Sequence, residues 1–514
     1  VSSNKENDVT RNLVLIRNVC PDGAASDLNW TSAAISSSGS DWINVKFTAT
    51  EGDFHWVIYD DLAGAYQYFI NRALPTLGEF RTLWRLSNTS FPRGRTNVKD
   101  DKLPALAEYL NATNVQDETW QKPDGTYLTK YDWSAFLREQ DYHGVYGSDV
   151  GSWYIAPGKD YYNGDHLKQE LMVHRESKTG DTVHLNMLHG THYQATSRDA
   201  FAPGKTWGPW LWYLNNGSQT DAAARVQHEE KAWPYQWFKD DAAYTSRGTL
   251  QGRLKLSDGR PASNAAVFIG DNRNSSISTL DQGQGYYYTT YADSAGRFSL
   301  HNIRAGTYAL YAWAHGAPLG DVTTNFTQND VTVRRGEKTD LEDLVWDVGK
   351  EKKVWQIGDW DRVSDGFGLA DPEKPFEHAR IAKCPANLTY AIGASQTKDW
   401  CFGQSALGTW AITFPLTSNA TSDAKLLVSL AGYSQGTGAD VLVNGAVVGQ
   451  IKKDGLVNSQ DTYRGATRAG EWRVLEYKVG KEVLKEGGNE VAFKVTDATK
   501  WRGWIWDSVV LEWV

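Results

Sequence analysis

Only three cysteines (Cys20, Cys384, Cys401) and two methionines (Met172, Met187) occur among the 514 residues. The odd cysteine count leaves at least one thiol over. Cys384 and Cys401 enclose a short loop and suit a disulfide in an oxidising compartment; three buried free thiols are the alternative. No run approaches the roughly 18 apolar residues of a membrane-spanning helix. Excess positive charge is missing as well. The 53 Lys and Arg against 62 Asp and Glu leave a net charge of −9, which argues against a nucleic acid held by a broadly basic surface. Helical heptads and long amphipathic stretches are largely absent. So are the G-x-S-x-G elbow and the HExxH zinc motif, and GKTWG at Gly204 lacks the upstream glycine of a P-loop.

What the chain does have is aromatic bulk: 23 Trp, 25 Tyr and 16 Phe. Flat rings fill β-sheet cores and also stack on sugar faces. With 40% hydrophobic and 22% charged residues the composition is globular, and at roughly 150 residues per domain the length predicts about three domains. Alternating strand patterns separated by Gly, Asn and Asp turns recur throughout, so the chain reads as mostly β. Residues 1–245 form the largest part and hold the candidate chemistry. From about 246 to 348 a regular pattern predicts a small sandwich, in which Phe298 and Leu300 alternate with Arg297 and Ser299. Asp293, Gly296, Phe298, Leu300, Gly306, Tyr308 and Leu310 match the signature of fibronectin type III-like and carboxypeptidase-regulatory-like modules. Residues 349–514 read as an antiparallel jelly roll with Trp501, Trp504 and Trp506 near its end. Clustered Trp in such a fold serves sugar binding and interior packing about equally often.

Three clusters in the first region bear on chemistry. In LGEFRTLWRLSN, Arg81, Leu83 and Arg85 fall on one face of a strand and Phe80, Thr82, Trp84 and Leu86 on the other. Two guanidiniums pointing the same way repel unless an anion, a carboxylate partner or solvent separates them. Glu79, Asp100 or Asp101 are partners within reach, and a clamp for a substrate carboxylate is the functional reading. In TYLTKYDWSAF, Lys130 sits among Tyr127, Tyr131 and Trp133, where lysine is more often a snorkelling side chain or a cation–π partner than a base. VHLNMLHGTHYQA carries His184, His189 and His192. Strand alternation predicts that His189 points away from the other two, which disfavours a three-histidine metal site. A pair of glycosidase carboxylates is not located by a linear sequence, so that class stays open.

Taken in order, GEFRTLWRL, TKYDWS, NGDHLKQEL, HGTHY, GKTWGPWLWYLNNG, the fibronectin-like module and a final domain opening IGDWD resemble polysaccharide lyase family 4, the rhamnogalacturonan lyases. The resemblance covers essentially the whole chain in domain order. It implies an N-terminal β-super-sandwich holding the active site, a middle fibronectin type III-like sandwich and a C-terminal jelly roll similar to carbohydrate-binding modules. By motif position, Arg81 and Arg85 match the arginines that engage the galacturonate carboxylate, Lys130 the base and His192 the acid. Where some fungal members carry two tyrosines before that histidine, this chain has Leu185 and Met187, and NGDHLKQEL and GPWLWYLN look closer to the plant-like branch.

The implied reaction is β-elimination at the rhamnosyl-α-1,4-galacturonosyl bond of rhamnogalacturonan I. Two arginines can neutralise the carboxylate that other uronate lyases pair with Ca²⁺, so no catalytic metal or cofactor is expected, while structural calcium has no readable ligand string. A glycoside hydrolase of the same pectic polymer and a non-catalytic pectin-binding protein are the competing readings. The opening VSSNKEND, without Met, reads as a processed form. Eight N-x-S/T sequons, at Asn29, Asn88, Asn111, Asn216, Asn274, Asn325, Asn387 and Asn419, lead us to expect a secreted, extracellular glycoprotein. A monomer is expected, with a polysaccharide partner and neither nucleic acid nor membrane.

Overall fold

The computed structural model describes residues 15–19, 25–193, 200–272, 278–452, 454, 456 and 459–514. Cys20 and Asn274 lie outside them. The fold is mostly β, as the alternation predicts: among the described residues the α-helices are Leu106–Leu110 and Gln219–Ala232.

The first part is a sandwich of a nine-stranded and a five-stranded sheet, both antiparallel. The larger runs Trp30–Ser38, Trp42–Ala49, Gly52–Tyr59, Gly64–Asn71, Thr206–Asn215, Gly151–Ile155, Tyr142–Tyr146, Arg93–Arg95, Asp100–Lys102. The smaller runs Val173–Arg175, Thr182–Gly190, Glu79–Leu86, Leu15–Val19, Ala25–Asp27. Aromatic rings join them. Trp84 stacks on Trp212 at 4.1 Å between centroids, Phe80 meets Trp207 edge-on at 5.3 Å, and the Thr82 hydroxyl lies 3.2 Å from the Tyr154 hydroxyl. The outer face of the larger sheet is covered by Gln219–Ala232, which the Ser218 hydroxyl caps by accepting from Asp221 N. The helix packs Ala222 and Val226 against Tyr66, Trp153 and Leu211.

The middle part stacks a three-stranded sheet (Arg297–Arg304, Arg247–Leu256, Lys338–Trp346) on a four-stranded one (Tyr288–Tyr291, Ala266–Asp271, Gly306–Trp313, Phe326–Val333). Phe298 and Leu300 enter its core while Arg297 and Ser299 face water. The last part is a pair of five-stranded sheets. Trp504 and Trp506 are fully buried there with Trp400 and Trp410, and Trp501 is 4% exposed. These rings pack the interior and present no open face to a sugar. Cys384 and Cys401 are joined by a disulfide with Cα atoms 5.8 Å apart.

The first part meets each of the others differently. Toward the middle part, Asp160 receives Arg247 at 2.9 Å and Arg304 at 3.3 Å, with all three side chains buried. Toward the last part, one apolar core runs across the boundary: Tyr131, Phe136 and Tyr193 belong to the same cluster as Phe376, Trp400 and Trp504.

Candidate active site

Three adjacent strands, Val173–Arg175, Thr182–Gly190 and Glu79–Leu86, form the floor. Residues directly opposite in register share a face: His174 lies across from Val183, Val183 from Arg85, and Met187 from Arg81. Arg81, Leu83 and Arg85 alternate with Phe80, Thr82 and Trp84, which point to the sandwich interior, so the basic face is the other one.

The histidines depart from simple alternation. The register shifts between Met187 and His189, so His184 lies across from Trp84 and His189 across from Phe80. One extra residue in the strand reverses parity. His184 and His189 therefore share the inner face, against the expectation that they oppose each other, and both are buried. His184 lies 3.1 Å from the Ser152 hydroxyl, and His189 meets the Phe201 ring edge-on. His192 lies beyond the strand. The strand ends at Gly190, with φ +83°, where a Cβ would stand 2.0 Å from Gly78 O. Only glycine fits both the left-handed backbone and the close approach, and the turn it permits delivers His192 to Glu79 and Arg81.

Lys130 opens the 3₁₀ turn Lys130–Trp133, where the Thr129 hydroxyl accepts from Tyr131 N. Its Nζ lies 5.2 Å from the Tyr131 ring centroid. Tyr131 is fixed at both polar ends: its hydroxyl donates to Asp117 at 2.7 Å, and its carbonyl accepts from the Tyr193 hydroxyl at 2.8 Å.

Arg81 Nη1 pairs with Glu79 Oε2 at 2.8 Å and donates to His192 Nε2 at 3.2 Å. A guanidinium only donates, so Nε2 accepts and the ring proton sits on Nδ1. Nδ1 is buried and meets no partner among the described residues. Burial holds His192 well below the usual imidazole range, assisted by Arg81, Lys130, Arg464 and His174. Lys130 is likewise lowered. Burial is the largest cause; Asp117 and Glu118 oppose it, and Arg464 and Arg81 add to it. No described residue forms an ion pair or hydrogen bond with its amine.

The structure thus gathers Lys130, His192 and Arg81. It sets Arg85 further along the same strand, where Arg85 pairs with Glu176 at 2.9 Å and Asp181 at 3.0 Å. Glu79, named from sequence as a possible partner, is the partner of Arg81; Asp100 instead meets Arg93. Leu185 and Met187 lie across from Leu83 and Arg81 and are 2% and 4% exposed. Three further residues escape sequence reasoning. His174 is buried, lies in the field of Lys130, Arg81 and Arg85, and has an Nδ1 without a partner among the described residues. Asp117 is held below the usual carboxylate range: burial opposes this, but Arg464, the Tyr131 hydroxyl and Lys130 outweigh it. Arg464 arrives from the last part of the chain. Its Nη2 lies 2.7 Å from Asp117 Oδ2, and its guanidinium stands over the Tyr131 ring at 4.7 Å. No local pattern marks either residue, because each acquires its role only when distant segments meet. Among the described residues no group of three His, Cys, Asp or Glu is placed to hold a metal ion.

Comparison with known proteins bears on what such a site does. Residues 257–341 match the family model for domain II of polysaccharide lyase family 4, and residues 353–511 the model for its domain III. A protein of Dickeya dadantii named rhamnogalacturonate lyase is 33% identical over 464 residues, covering 86% of this chain and 76% of its own length. Rhamnogalacturonate lyase B of Emericella nidulans is 25% identical over 469 residues, covering 77% of this chain and 69% of its own.

Proposed function

The chain belongs to polysaccharide lyase family 4 and is a rhamnogalacturonan lyase, and from that premise we propose that it cleaves the rhamnosyl-α-1,4-galacturonosyl bond of rhamnogalacturonan I by β-elimination at the Lys130–His192–Arg81 site. A base removes the C5 proton, the C5–H electrons form the C4=C5 double bond, and the C4–O bond breaks. The oxygen leaves with a proton as the rhamnosyl hydroxyl, and a 4,5-unsaturated galacturonosyl end remains. The C5 proton is a poor acid because its loss adds charge beside a carboxylate. Cations aimed at that carboxylate supply the electrostatic stabilisation the step needs. Arg81 contacts His192 of the proton-transfer pair, and Arg85 meets substrate by exchanging one of its acidic partners for the uronate.

The observation that carries this reading is the state of Lys130. Its amine has no acidic partner among the described residues and is pushed toward the neutral form by burial and by two arginines, which is what a lysine base with a reference pKa of about 10.4 requires. Bound uronate acts in the opposite sense, so the prepared base belongs to the free enzyme. His192 is the acid; negative charge on the bound sugar favours its protonated form. A second assignment exchanges the two roles, and the neutral His192 of the substrate-free site favours it.

Lys130→Met is expected to lower turnover by about a thousandfold or more, read as loss of near-ultraviolet absorbance from the unsaturated product, with the melting temperature retained. Full activity would remove Lys130 from the mechanism, and depolymerisation without that absorbance would make the reaction a hydrolysis. His192→Ala lowers kcat more than it raises KM. We further propose secretion to the extracellular space as a monomeric glycoprotein that requires no cofactor. Supporting secretion and glycosylation, the seven described sequon asparagines are all exposed, and a disulfide is the oxidised form such a compartment maintains.

A further inference from the structure

The jelly roll reaches the proton-transfer pair through one short turn, Thr462–Arg464. Its leading residue, Asp461, is fully buried and accepts from the Ser434 hydroxyl at 2.9 Å, from the Ser459 hydroxyl and from Thr462 N. Gly470 lies so close that a Cβ there would meet Asp461 Oδ2 at 1.9 Å. The turn is thus set rigidly in its own domain. From it, Gln460 N donates to Tyr193 O at 2.8 Å, the Tyr463 carbonyl accepts from Gln116 Nε2, and Arg464 Nη1 donates to the His192 carbonyl. Arg464 Nη2 holds Asp117, which holds the Tyr131 hydroxyl. One guanidinium therefore ties the main chain of His192 to the acid beside Lys130. Its Nε is buried and unpartnered among the described residues.

We propose that Arg464 is a positioning residue of the active site, fixing the His192 main chain and completing the cation field around Lys130, so that turnover requires the jelly roll to be docked. This rests on Lys130 and His192 being the proton-transfer pair. The groups set against Lys130 are Asp117 and Glu118, which favour its charged form, and Arg464 and Arg81, which disfavour it. His174 and His192 stand in the same field, and Glu79 lies behind Arg81. Arg464 opposes the protonated forms of both Lys130 and His192. Removing its charge therefore moves both titrations toward alkaline pH, whichever of the two is the base.

The test uses the full chain on rhamnogalacturonan I, with kcat and KM followed by product absorbance across pH and with a melting curve for each variant. Arg464→Gln is expected to shift the whole pH–rate bell to higher pH and to lower kcat roughly tenfold to a hundredfold, the scale on which misplaced catalytic groups act. Arg464→Lys keeps the charge and loses the fork, so the bell stays in place while kcat falls. Asp117→Asn removes an anion from Lys130 and moves the limb that belongs to Lys130 to lower pH. Should Arg464→Gln not fold, the latter two variants decide the matter: a bell displaced in Arg464→Lys, or a Lys130 limb unmoved in Asp117→Asn, overturns the inference. An Arg464→Gln bell that stays in place, or a loss that only follows the melting temperature, overturns it as well. Activity retained in Lys130→Met would instead bring down the reading of the site on which it rests.

Discussion

The two junctions made by the first part of the chain are built on opposite principles. Toward the middle sandwich, Asp160, Arg247 and Arg304 are sealed from water, and Asp160 Oδ2 takes both cations and the Tyr288 hydroxyl. Toward the jelly roll, rings fill the space and an ion pair, Arg464 with Asp117, lies at the rim beside Lys130, which is part-buried and, among the described residues, unpaired. A sealed ion cluster has its attraction already spent on itself; breaking it leaves uncompensated charge, which is costly. At the edge of the apolar junction the Lys130 amine is left without an ion-pair partner among the described residues, and the rings beneath exclude water that would screen the charges around it. The first junction therefore maintains the architecture, and in the reading proposed above the second carries the chemistry.

Breaking the sealed cluster is the most damaging test of that contrast. Asp160→Asn should cost about 3–5 kcal/mol, the scale for removing one partner of a buried pair, read as a lower melting temperature with kcat per folded molecule unchanged. The pH dependence has a defined sign. Two arginines outweigh burial and hold Asp160 below the usual carboxylate range. Its contribution is thus present above the unfolded-state value and lost as pH falls through the folded-state value. The acid-side decline in melting temperature should shrink in Asp160→Asn; an unchanged decline would show that the cluster does not govern it.

A smaller effect is expected from opening the disulfide. Closing a loop of this length is worth about 3 kcal/mol in the chain-entropy picture, and Cys384 and Cys401 lie in the jelly-roll core. Cys384→Ser should lower the temperature at which activity is lost more than that at which the middle sandwich unfolds. Equal displacement of both would mean that the two junctions are not independent. The smallest effect is none. If the charge at the second junction comes from side chains, incubation with a chelator leaves turnover unchanged, and a loss restored by added Ca²⁺ would show otherwise.

Alternation made the strands legible, and with them the shared face of Arg81 and Arg85, because period-two burial is written directly into residue order. It failed at Leu188, where one inserted residue reversed parity and put His184 and His189 on the same inner face. Ladder hydrogen bonding settles that, and side-chain type does not reveal it. The pairing of Arg85 with Glu176 and Asp181 was equally hidden, since strand pairing rather than proximity along the chain brings them together. Arg464 was the least legible. It follows His192 by 272 residues in a turn with nothing unusual in its composition.

The shared aromatic core also bears on how freely the parts can be recombined. A chain ended at Gly349 would not be a smaller enzyme with its accessory removed. It would uncover Tyr131, Phe136 and Tyr193, whose rings now pack into the jelly-roll core, and so present an apolar patch prone to association. Grafting another jelly-roll domain in its place would fail for the same reason unless the graft carried the docking rim with it: Phe376 for the rings, Gln460 for the Tyr193 carbonyl and Arg464 for that of His192. Interchange of parts in this molecule is limited by the fit of a buried surface rather than by the length of a linker.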